Sequence, residues 1–99
     1  MIEINGRLFD WDMDKNIANI QKHGVSFKMA ATAFLDPMSV TFDDERHSQY
    51  EDRFILIGKN KHDDLLTVCH CYRFGNVTRI ISARTANNRE QNIYGGENV

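Results

Sequence analysis

The sequence contains little proline, little cysteine and no long apolar segment. Its 99 residues include one proline and two cysteines, and 41% of the residues are hydrophobic. No apolar run approaches the roughly 20 residues that a membrane helix needs, and residues 1–6 lack the basic start and apolar centre of a secretory signal. We therefore expect one cytoplasmic domain over residues 1–99, without membrane contact and with a frayed tail at 95–99.

The cysteines are Cys69 and Cys71, one residue apart in a predicted strand. Their side chains should share a strand face, but they are too close in sequence for an ordinary disulfide loop, and a reducing compartment fits them. His62 or His70 nearby suggests a metal site, yet such sites usually need four ligands at defined spacings. We predict two small buried thiols, no metal and no cofactor. A metal-dependent enzyme built on Cys69, His70 and Cys71 is a minor alternative.

Charge is distributed unevenly along the chain. Residues 1–52 hold ten acids and five bases, whereas residues 53–99 hold four acids and seven bases. A net acidic protein is a poor non-specific nucleic-acid binder, although a face with several arginines can still hold a few phosphates. Net charge alone therefore neither establishes nor excludes a nucleic-acid partner.

The N-terminal segment predicts a short hairpin and an amphipathic helix. Asn5-Gly6 favours a tight turn between two short alternating segments. The helix is expected from about Asp12 to His23, where Gly24 supplies the stop. Its apolar face is predicted to contain Met13, Ile17 and Ile20.

The rest of the chain predicts an α+β domain. Ser26 can cap a second helix, which ends at Asp36-Pro37, and three later strands with short connections favour an antiparallel meander. We expect an antiparallel sheet of about four strands, packed on one side against two N-terminal helices and one C-terminal helix. The predicted strands are 39–42, 53–59, 65–73 and 77–83, the last helix runs from Asn87 or Asn88 through Tyr94, and an acidic loop at 43–52 is the least ordered segment.

Three arginines on neighbouring predicted strands are the candidate phosphate ligands. Arg53, Arg79 and Arg84 carry planar forks of donors that suit phosphate oxygens. Strand alternation places Arg79 and Arg84 on opposite faces, so they need not converge. The alternative is that each is a surface charge or an ion-pair partner of Asp52 or Glu90.

The first helix carries further candidates. His23 has a side chain suited to proton transfer near neutral pH, but a cation at a helix C-terminus also explains it. Lys15 and Lys22 are typical of a solvated helix face. Trp11 is either a core anchor at the helix entrance or a surface for base stacking. His70, in a strand, is expected to be a hydrogen-bonded sheet residue.

An ordered set of motifs resembles the BrnT family of bacterial ribonuclease toxins. The first is Phe9-x-Trp11-Asp12-x-x-Lys15, followed by Asn19 and Lys22-His23-Gly24-Val25-x-Phe27. The later ones are Phe34-x-Asp36-Pro37, Arg53-Phe54-x-x-Ile57-Gly58, and Arg79-Ile80-Ile81-Ser82-Ala83-Arg84 with Ala86, Arg89-Glu90 and Tyr94. Together they cover nearly the whole chain. The stretch 9–27 identifies the family best, although its residues are largely explained by the fold.

The resemblance implies a RelE-like toxin fold, ribonuclease activity and neutralisation by a BrnA-like antitoxin, through which alone the protein would reach DNA. Such toxins cut RNA without a required metal, using the ribose 2′-OH as nucleophile and cationic side chains to stabilise the transition state. On this chain the resemblance assigns phosphate contacts to Arg53, Arg79 and Arg84. It assigns proton transfer or positioning to His23, Lys15 or Tyr94, and RNA contacts to Lys15, Lys22 and Trp11.

The alternative is a catalytically inert toxin-like module that binds an antitoxin or RNA without cleaving it. Fewer cations in the C-terminal segment would weaken contact with the RNA backbone. Polar residues stand where the family is expected to carry more lysine and arginine, at Thr85, Asn87, Asn88, Gln91 and Asn92.

Overall fold

Residues 1–95, which the computed structural model describes, form a six-stranded sheet with three α-helices. The strands are β1 (Ile2–Ile4), β2 (Arg7–Asp10), β3 (Val40–Asp43), β4 (Phe54–Lys59), β5 (Leu65–Arg73) and β6 (Val77–Thr85). The helices are α1 (Met13–His23), α2 (Phe27–Thr32) and α3 (Asn88–Tyr94), with 3₁₀ turns at Ala33–Leu35 and Glu45–His47. Among these residues no helix has the length and apolar character that a bilayer crossing requires. The predicted frayed tail lies, apart from Gly95, outside the described residues.

The sheet is mixed, with the strand order β1-β2-β6-β5-β4-β3. The predicted antiparallel meander of β4, β5 and β6 is confirmed. The prediction of about four antiparallel strands is wrong, because the opening hairpin joins the same sheet and β2 runs parallel to β6, with Leu8 opposite Val77. Parallel pairing needs a long connection, and the two strands are separated by most of the chain.

The signals that begin and end the N-terminal elements act as predicted. Asn5 (φ 51°) and Gly6 (φ 81°) form the hairpin turn in the left-handed region that these residues tolerate. Asp12 accepts the Lys15 backbone N–H at 3.0 Å at the start of α1, and Gly24 (φ 72°) ends that helix. Ser26 caps α2 in the same way as Asp12 caps α1.

The side of α1 that is buried differs from the prediction. Met13, Ile17 and Ile20 are 65%, 51% and 43% exposed, whereas Asn19 is buried. The Asn19 amide donates to the carbonyl of Ala83 at 2.8 Å and accepts the N–H of Ala83 at 3.1 Å. The side chain thus bonds the backbone of β6 as a neighbouring strand would, beyond the end of β2. The apolar spacing was misleading because α1 lies along this sheet edge.

The apolar core lies on one face of the sheet, here called the first face. Leu66 and Val68 of β5 and Ile80 and Ala83 of β6 point to this side and belong to one buried cluster. Burial of each large apolar side chain contributes about 1.5–3 kcal/mol, so this layer holds the sheet against α2. The residues that cover it from α2 and the turn that follows are Phe27, Ala30, Ala31, Ala33 and Phe34.

The opposite face, here called the second face, carries Thr67, Cys69 and Cys71 of β5. It is partly covered by α3, because Glu90 of that helix is ion-paired with Arg84, the cross-strand partner of Thr67. The prediction that all helices pack on one side is therefore wrong.

The acidic segment 43–52 is more structured than predicted. It contains the 3₁₀ turn Glu45–His47, and Asp44 is only 7% exposed. The Asp44 N–H donates to the carbonyl of Arg53 at 2.8 Å, and the Ser48 hydroxyl donates to the carbonyl of Asp44 at 2.7 Å. A carboxylate oxygen of Asp44 lies 3.8 Å from the sulfur of Cys69, which places the segment against the second face.

Candidate functional site

Arg79 and Arg84 lie on the same face of the sheet because β6 contains a bulge. Arg79 is opposite Cys71 of β5 and Arg84 is opposite Thr67, and residues four apart on one strand point to the same side. The register shifts between these pairs and leaves Ile81 without a partner on β5. From Ser82 onward, the side chains of β6 therefore point to the faces opposite to those that simple alternation from Arg79 predicts. The prediction that the two arginines face opposite ways is therefore wrong.

Three arginines gather around two carboxylates at one end of the second face. Arg79 Nη1 donates to Asp10 Oδ2 at 3.2 Å. Arg73 Nη1 is hydrogen-bonded to Glu51, and Arg53 Nε lies 3.8 Å from Glu51 Oε2. The charge of Asp10 also acts on Arg73, which links the two pairs. We call these three arginines, Arg53, Arg73 and Arg79, the arginine cluster.

Arg53 differs from the other two arginines of the cluster, because it donates no side-chain hydrogen bond to a carboxylate among the described residues. Its Nε is buried and has no hydrogen-bond partner within residues 1–95. About 31% of its side chain is nevertheless exposed, so an incoming ligand can reach the guanidinium group. The exposed part of the guanidinium group can donate charge-assisted hydrogen bonds to phosphate oxygens.

The cysteines of the second face are free, as predicted, and are poor nucleophiles. Burial raises the pKa of Cys69 to about 11 and also raises the pKa of Cys71, so both thiols are protonated near neutral pH. His70 points to the first face and cannot join the two sulfurs around one ion. Within the described part of the chain, no group of three His, Cys, Asp or Glu side chains has the geometry of a metal site.

A histidine-aspartate pair that sequence reasoning missed lies beside Arg53. His47 Nδ1 is 2.9 Å and 3.1 Å from the two carboxylate oxygens of Asp44. Asp44 is buried and His47 is exposed, so the carboxylate holds the ring while Nε2 remains accessible. This is the arrangement of an oriented general base or acid. In sequence, Asp44 and His47 are simply three residues apart. The 3₁₀ turn brings two positions at this spacing onto the same side of the chain, so that their side chains can pair.

Arg84 is committed to the fold. Its two terminal nitrogens each donate at 2.8 Å to one carboxylate oxygen of Glu90. Glu90 also accepts the Asn87 N–H in the capping box of α3, and its pKa falls to about 2 because these bonds outweigh its burial. The predicted alternative of an ion pair with Glu90 is confirmed. Along β5, the positions opposite Arg84 and Arg79 are separated by about 13 Å.

Two aromatic candidates lie away from the arginine cluster. The Tyr94 hydroxyl donates to Asp36 at 2.7 Å, which raises the pKa of Tyr94 to about 12 and makes it a poor base. Trp11 is half-buried and its ring meets Phe27 edge to face at 6.2 Å, as expected of a core anchor.

The three candidates on α1 are exposed and also lie apart from the cluster. His23 ends the helix and lines a cleft of about 700 Å³. Lys15 and Lys22 lie on the solvated surface of the same helix. Within residues 1–95, no hydrogen bond or ion pair connects these side chains, Tyr94 or Trp11 to the arginine cluster. Of the predicted site residues, the structure brings together Arg53 and Arg79, and it adds Arg73.

An arginine cluster on one sheet face of a small α+β domain is suited to the binding of RNA phosphates. Comparison with known protein families identifies the family to which this domain belongs. A model described as the ribonuclease toxin, BrnT, of type II toxin-antitoxin systems matches residues 11–90. Because this match spans most of the chain, the protein belongs to the BrnT family of ribonuclease toxins. The resemblance seen in the motifs is thereby confirmed, and the family implies an RNA substrate and an antitoxin partner.

A solved structure supports the fold. The crystal structure of the Brucella abortus ribonuclease toxin BrnT, determined at 1.1 Å resolution, superposes with a TM-score of 0.63 at 23% identity. The similarity covers 83% of this chain and 99% of that one. Comparison with curated proteins gave no match.

Proposed function

We propose that this chain is a metal-independent, cytoplasmic endoribonuclease with a RelE-like arrangement of its active face. The ribose 2′-OH attacks the adjacent phosphorus, the P–O5′ bond breaks, and the products carry a 2′,3′-cyclic phosphate and a 5′-hydroxyl. Negative charge accumulates on the phosphoryl oxygens during this step. The observation that carries the proposal is the arginine cluster, which places fixed positive charge on an accessible sheet face.

Arg53 and Arg79 hold the scissile phosphate, and Arg73 supports them. Arg53 contributes the exposed part of its guanidinium group, whereas Arg79 exchanges its bond with Asp10 for one with a phosphate oxygen. Arg84 acts indirectly, because it fixes α3 through Glu90.

His47 is the proton-transfer group in this proposal, and buried Asp44 orients its ring. His47 accepts the 2′-OH proton through Nε2, and water protonates the leaving 5′-oxygen. His23, Lys15 and Lys22 then contact RNA outside the cleavage site. Trp11 and Tyr94 support the fold around α1 and α3.

The test is cleavage of a single-stranded oligoribonucleotide by the purified chain in EDTA. Cleavage should persist and should fall by about 100-fold in Arg53→Ala and Arg79→Ala, the loss typical of removing one donor to a charged transition state. Arg89→Ala is the matched control, because Arg89 is an exposed arginine on α3 outside the cluster. Equal cleavage by all four proteins, at equal thermal stability, would remove the cluster from the active site.

The proposed partner is a BrnA-like antitoxin that covers the arginine cluster with an acidic or partly disordered segment. DNA is reached only through that antitoxin. Co-expression with the product of the adjacent reading frame should yield a complex that Arg53→Ala and Arg79→Ala weaken and Arg89→Ala does not. Failure of two soluble proteins to co-purify would contradict the pairing.

An inert binding module is the second candidate, and one observation favours it. Asp10 and Glu51 already occupy donors of Arg79 and Arg73, as expected where no phosphate is processed. Expression of the chain alone in a bacterial host separates the two candidates. Growth arrest supports the nuclease, whereas normal growth at confirmed soluble expression supports the inert module.

A further inference from the structure

A small cleft lies at one end of the sheet, between the β1–β2 turn and the β5–β6 turn. It has a volume of about 400 Å³. Its walls include two arginines, one tyrosine and polar turn residues, among them Arg7, Tyr72, Arg73 and Thr78. None of these residues was a candidate in the sequence.

Three of these residues form a row across adjacent strands. Tyr72 of β5 is opposite Thr78 of β6, and Arg7 Nε of β2 donates to Thr78 Oγ1 at 3.3 Å. The Arg7 guanidinium carbon also lies 4.9 Å from the centre of the Phe34 ring, on the first face. Arg7 is therefore held in place before any ligand arrives.

The Tyr72 ring is held by two neighbouring aromatic rings and remains partly exposed. It packs at 5.2 Å against the ring of Phe54 and at 5.4 Å against the ring of His70. The residue is still 48% exposed. An aromatic ring that is packed by its neighbours and still half exposed is suited to stacking, because little side-chain freedom is lost on binding.

The cleft is continuous with the arginine cluster through Arg73. This residue lines the cleft and is also hydrogen-bonded to Glu51, the carboxylate that lies beside Arg53. The neighbouring Phe74 is fully exposed at the turn. Arginines interleaved with exposed aromatic rings are typical of surfaces that bind single-stranded nucleic acid.

We propose that this cleft is a nucleobase-binding subsite for single-stranded RNA, in which a base stacks on Tyr72 and the adjoining phosphate lies between Arg7 and Arg73. The inference rests on the proposed function, since it takes RNA as the ligand. Tyr72 lies on the first face and Arg73 on the second, so the RNA strand passes over the end of the sheet and reaches the arginine cluster by way of Arg73. Because a base inside a duplex is already stacked, the subsite selects unpaired RNA.

Binding is measured by fluorescence anisotropy with a labelled single-stranded oligonucleotide that carries 2′-O-methyl riboses throughout and therefore cannot be cleaved. The test variant is Tyr72→Leu, which keeps an apolar side chain against Phe54 but removes the aromatic face. Tyr72→Phe keeps that face. Phe42→Leu, at a comparably exposed aromatic residue of β3, is the control for loss of a ring elsewhere.

Tyr72→Leu should weaken binding about tenfold, within the range measured for one base stack, while Tyr72→Phe and Phe42→Leu bind like the wild type. Arg7→Gln should reduce the salt dependence of binding by about one phosphate contact. Wild-type affinity in Tyr72→Leu, at unchanged thermal stability, would overturn the inference. Absence of binding by the wild-type chain would overturn it as well.

The two proposals fail separately in this design. If the wild-type chain cleaves RNA and Tyr72→Leu binds normally, ribonuclease activity is supported and the base-binding subsite is contradicted. If binding depends on Tyr72 but no cleavage occurs in a parallel assay with unmodified RNA, the subsite is supported and ribonuclease activity is contradicted. A duplex of the same sequence should bind more weakly to the wild type and lose little affinity in Tyr72→Leu.

Discussion

Asp10 stands directly opposite Arg79 across the parallel pair of β2 and β6, and its Oδ2 atom accepts a hydrogen bond from Arg79 Nη1 at 3.2 Å. The other oxygen of Asp10 is buried without a hydrogen-bond partner among the described residues. If Arg79 binds the scissile phosphate as proposed, Asp10 competes with that phosphate for the guanidinium group, and the carboxylate lowers the affinity for RNA.

Neutralising Asp10 is expected to strengthen RNA binding. Asp10→Asn keeps the shape of the side chain but removes the charge that competes with phosphate. A partly exposed pair of this kind contributes about 0.2–1 kcal/mol, so affinity for an uncleavable oligoribonucleotide should rise up to about fivefold. Asp14→Asn, at an exposed carboxylate of α1, is the control. Weaker binding in Asp10→Asn would show that Asp10 mainly positions Arg79.

Replacing Arg84 is expected to affect stability more than chemistry. Arg84→Ala removes both hydrogen bonds to Glu90, a side chain that is only 12% exposed, and leaves that carboxylate unpaired. The expected cost is about 1–2 kcal/mol in the free energy of unfolding, below that of a fully buried pair because Arg84 is partly solvated. Urea unfolding measures this loss. A variant of wild-type stability that no longer cleaves RNA would place Arg84 at the reaction instead.

The histidine-aspartate pair gives a prediction about the proton-transfer group. His47→Gln should lower RNA cleavage at least 100-fold, because glutamine cannot transfer the proton. The fold should persist, since His47 is exposed. Asp44→Asn should cause a smaller loss. The measurement is the cleavage rate of each variant at pH 7, with His62→Gln as the exposed control. Wild-type cleavage by His47→Gln would assign proton transfer to another group.

Buried His70 is expected to make the fold sensitive to acid. Burial lowers the pKa of His70 to about 4 from its ordinary value of 6.5, with a further contribution from the charge of Arg7. Between pH 4 and pH 6.5, His70 is therefore protonated in the unfolded chain and neutral in the folded chain. Stability is full above pH 6.5 and falls by up to about 3 kcal/mol as the pH drops through 4.

His70→Phe tests this effect because phenylalanine fits an aromatic surrounding and does not titrate. The ring of His70 meets Phe34 at 4.7 Å and Tyr72 at 5.4 Å, so an apolar ring can occupy the same position. Unfolding curves at pH 7 and pH 4.5 should differ less for His70→Phe than for the wild type. An equal difference would assign the acid sensitivity to other groups.

Asn19 is expected to matter more for stability than the apolar residues beside it. Asn19→Ala removes buried hydrogen bonds with Ala83 and leaves backbone groups of β6 unpaired, at a cost of about 2–3 kcal/mol. Ile17→Gln should cost about 0.5 kcal/mol or less, since half of that side chain is already exposed. Thermal unfolding should therefore show a lower unfolding temperature for Asn19→Ala than for Ile17→Gln, although isoleucine is the more hydrophobic of the two replaced residues.

Local signals in the sequence were sufficient to predict most individual elements. Asn5-Gly6, Asp12, Gly24 and Ser26 act through bonds within a few residues, so the hairpin, helix α1 and the start of α2 lie where these residues predict. Helix α2 was expected to reach Asp36-Pro37 but ends at Thr32 and continues as a 3₁₀ turn. The pairing of β2 with β6 depends on residues far apart in sequence, and no local pattern encodes it. The sheet was therefore predicted with too few strands.

The candidate site was predicted in part for the same reason. Arg53, just before β4, and Arg79, within β6, were candidates in the sequence, and the structure brings them together. Arg73 joins them only because β5 and β6 are in register, and Arg84 shares their face only because of the bulge at Ile81. Such a bulge has no distinctive residue pattern here, so alternation alone gave the wrong face.

The amide of Asn19 also has a consequence for association between molecules. Beyond the end of β2, the N–H and C=O groups of Ala83 would otherwise form an open strand edge, and such edges recruit strands from other chains. One polar side chain closes this edge without adding a strand. Its loss would favour intermolecular β-sheet formation at high concentration, and a rise in the apparent molecular mass of Asn19→Ala with concentration would report it.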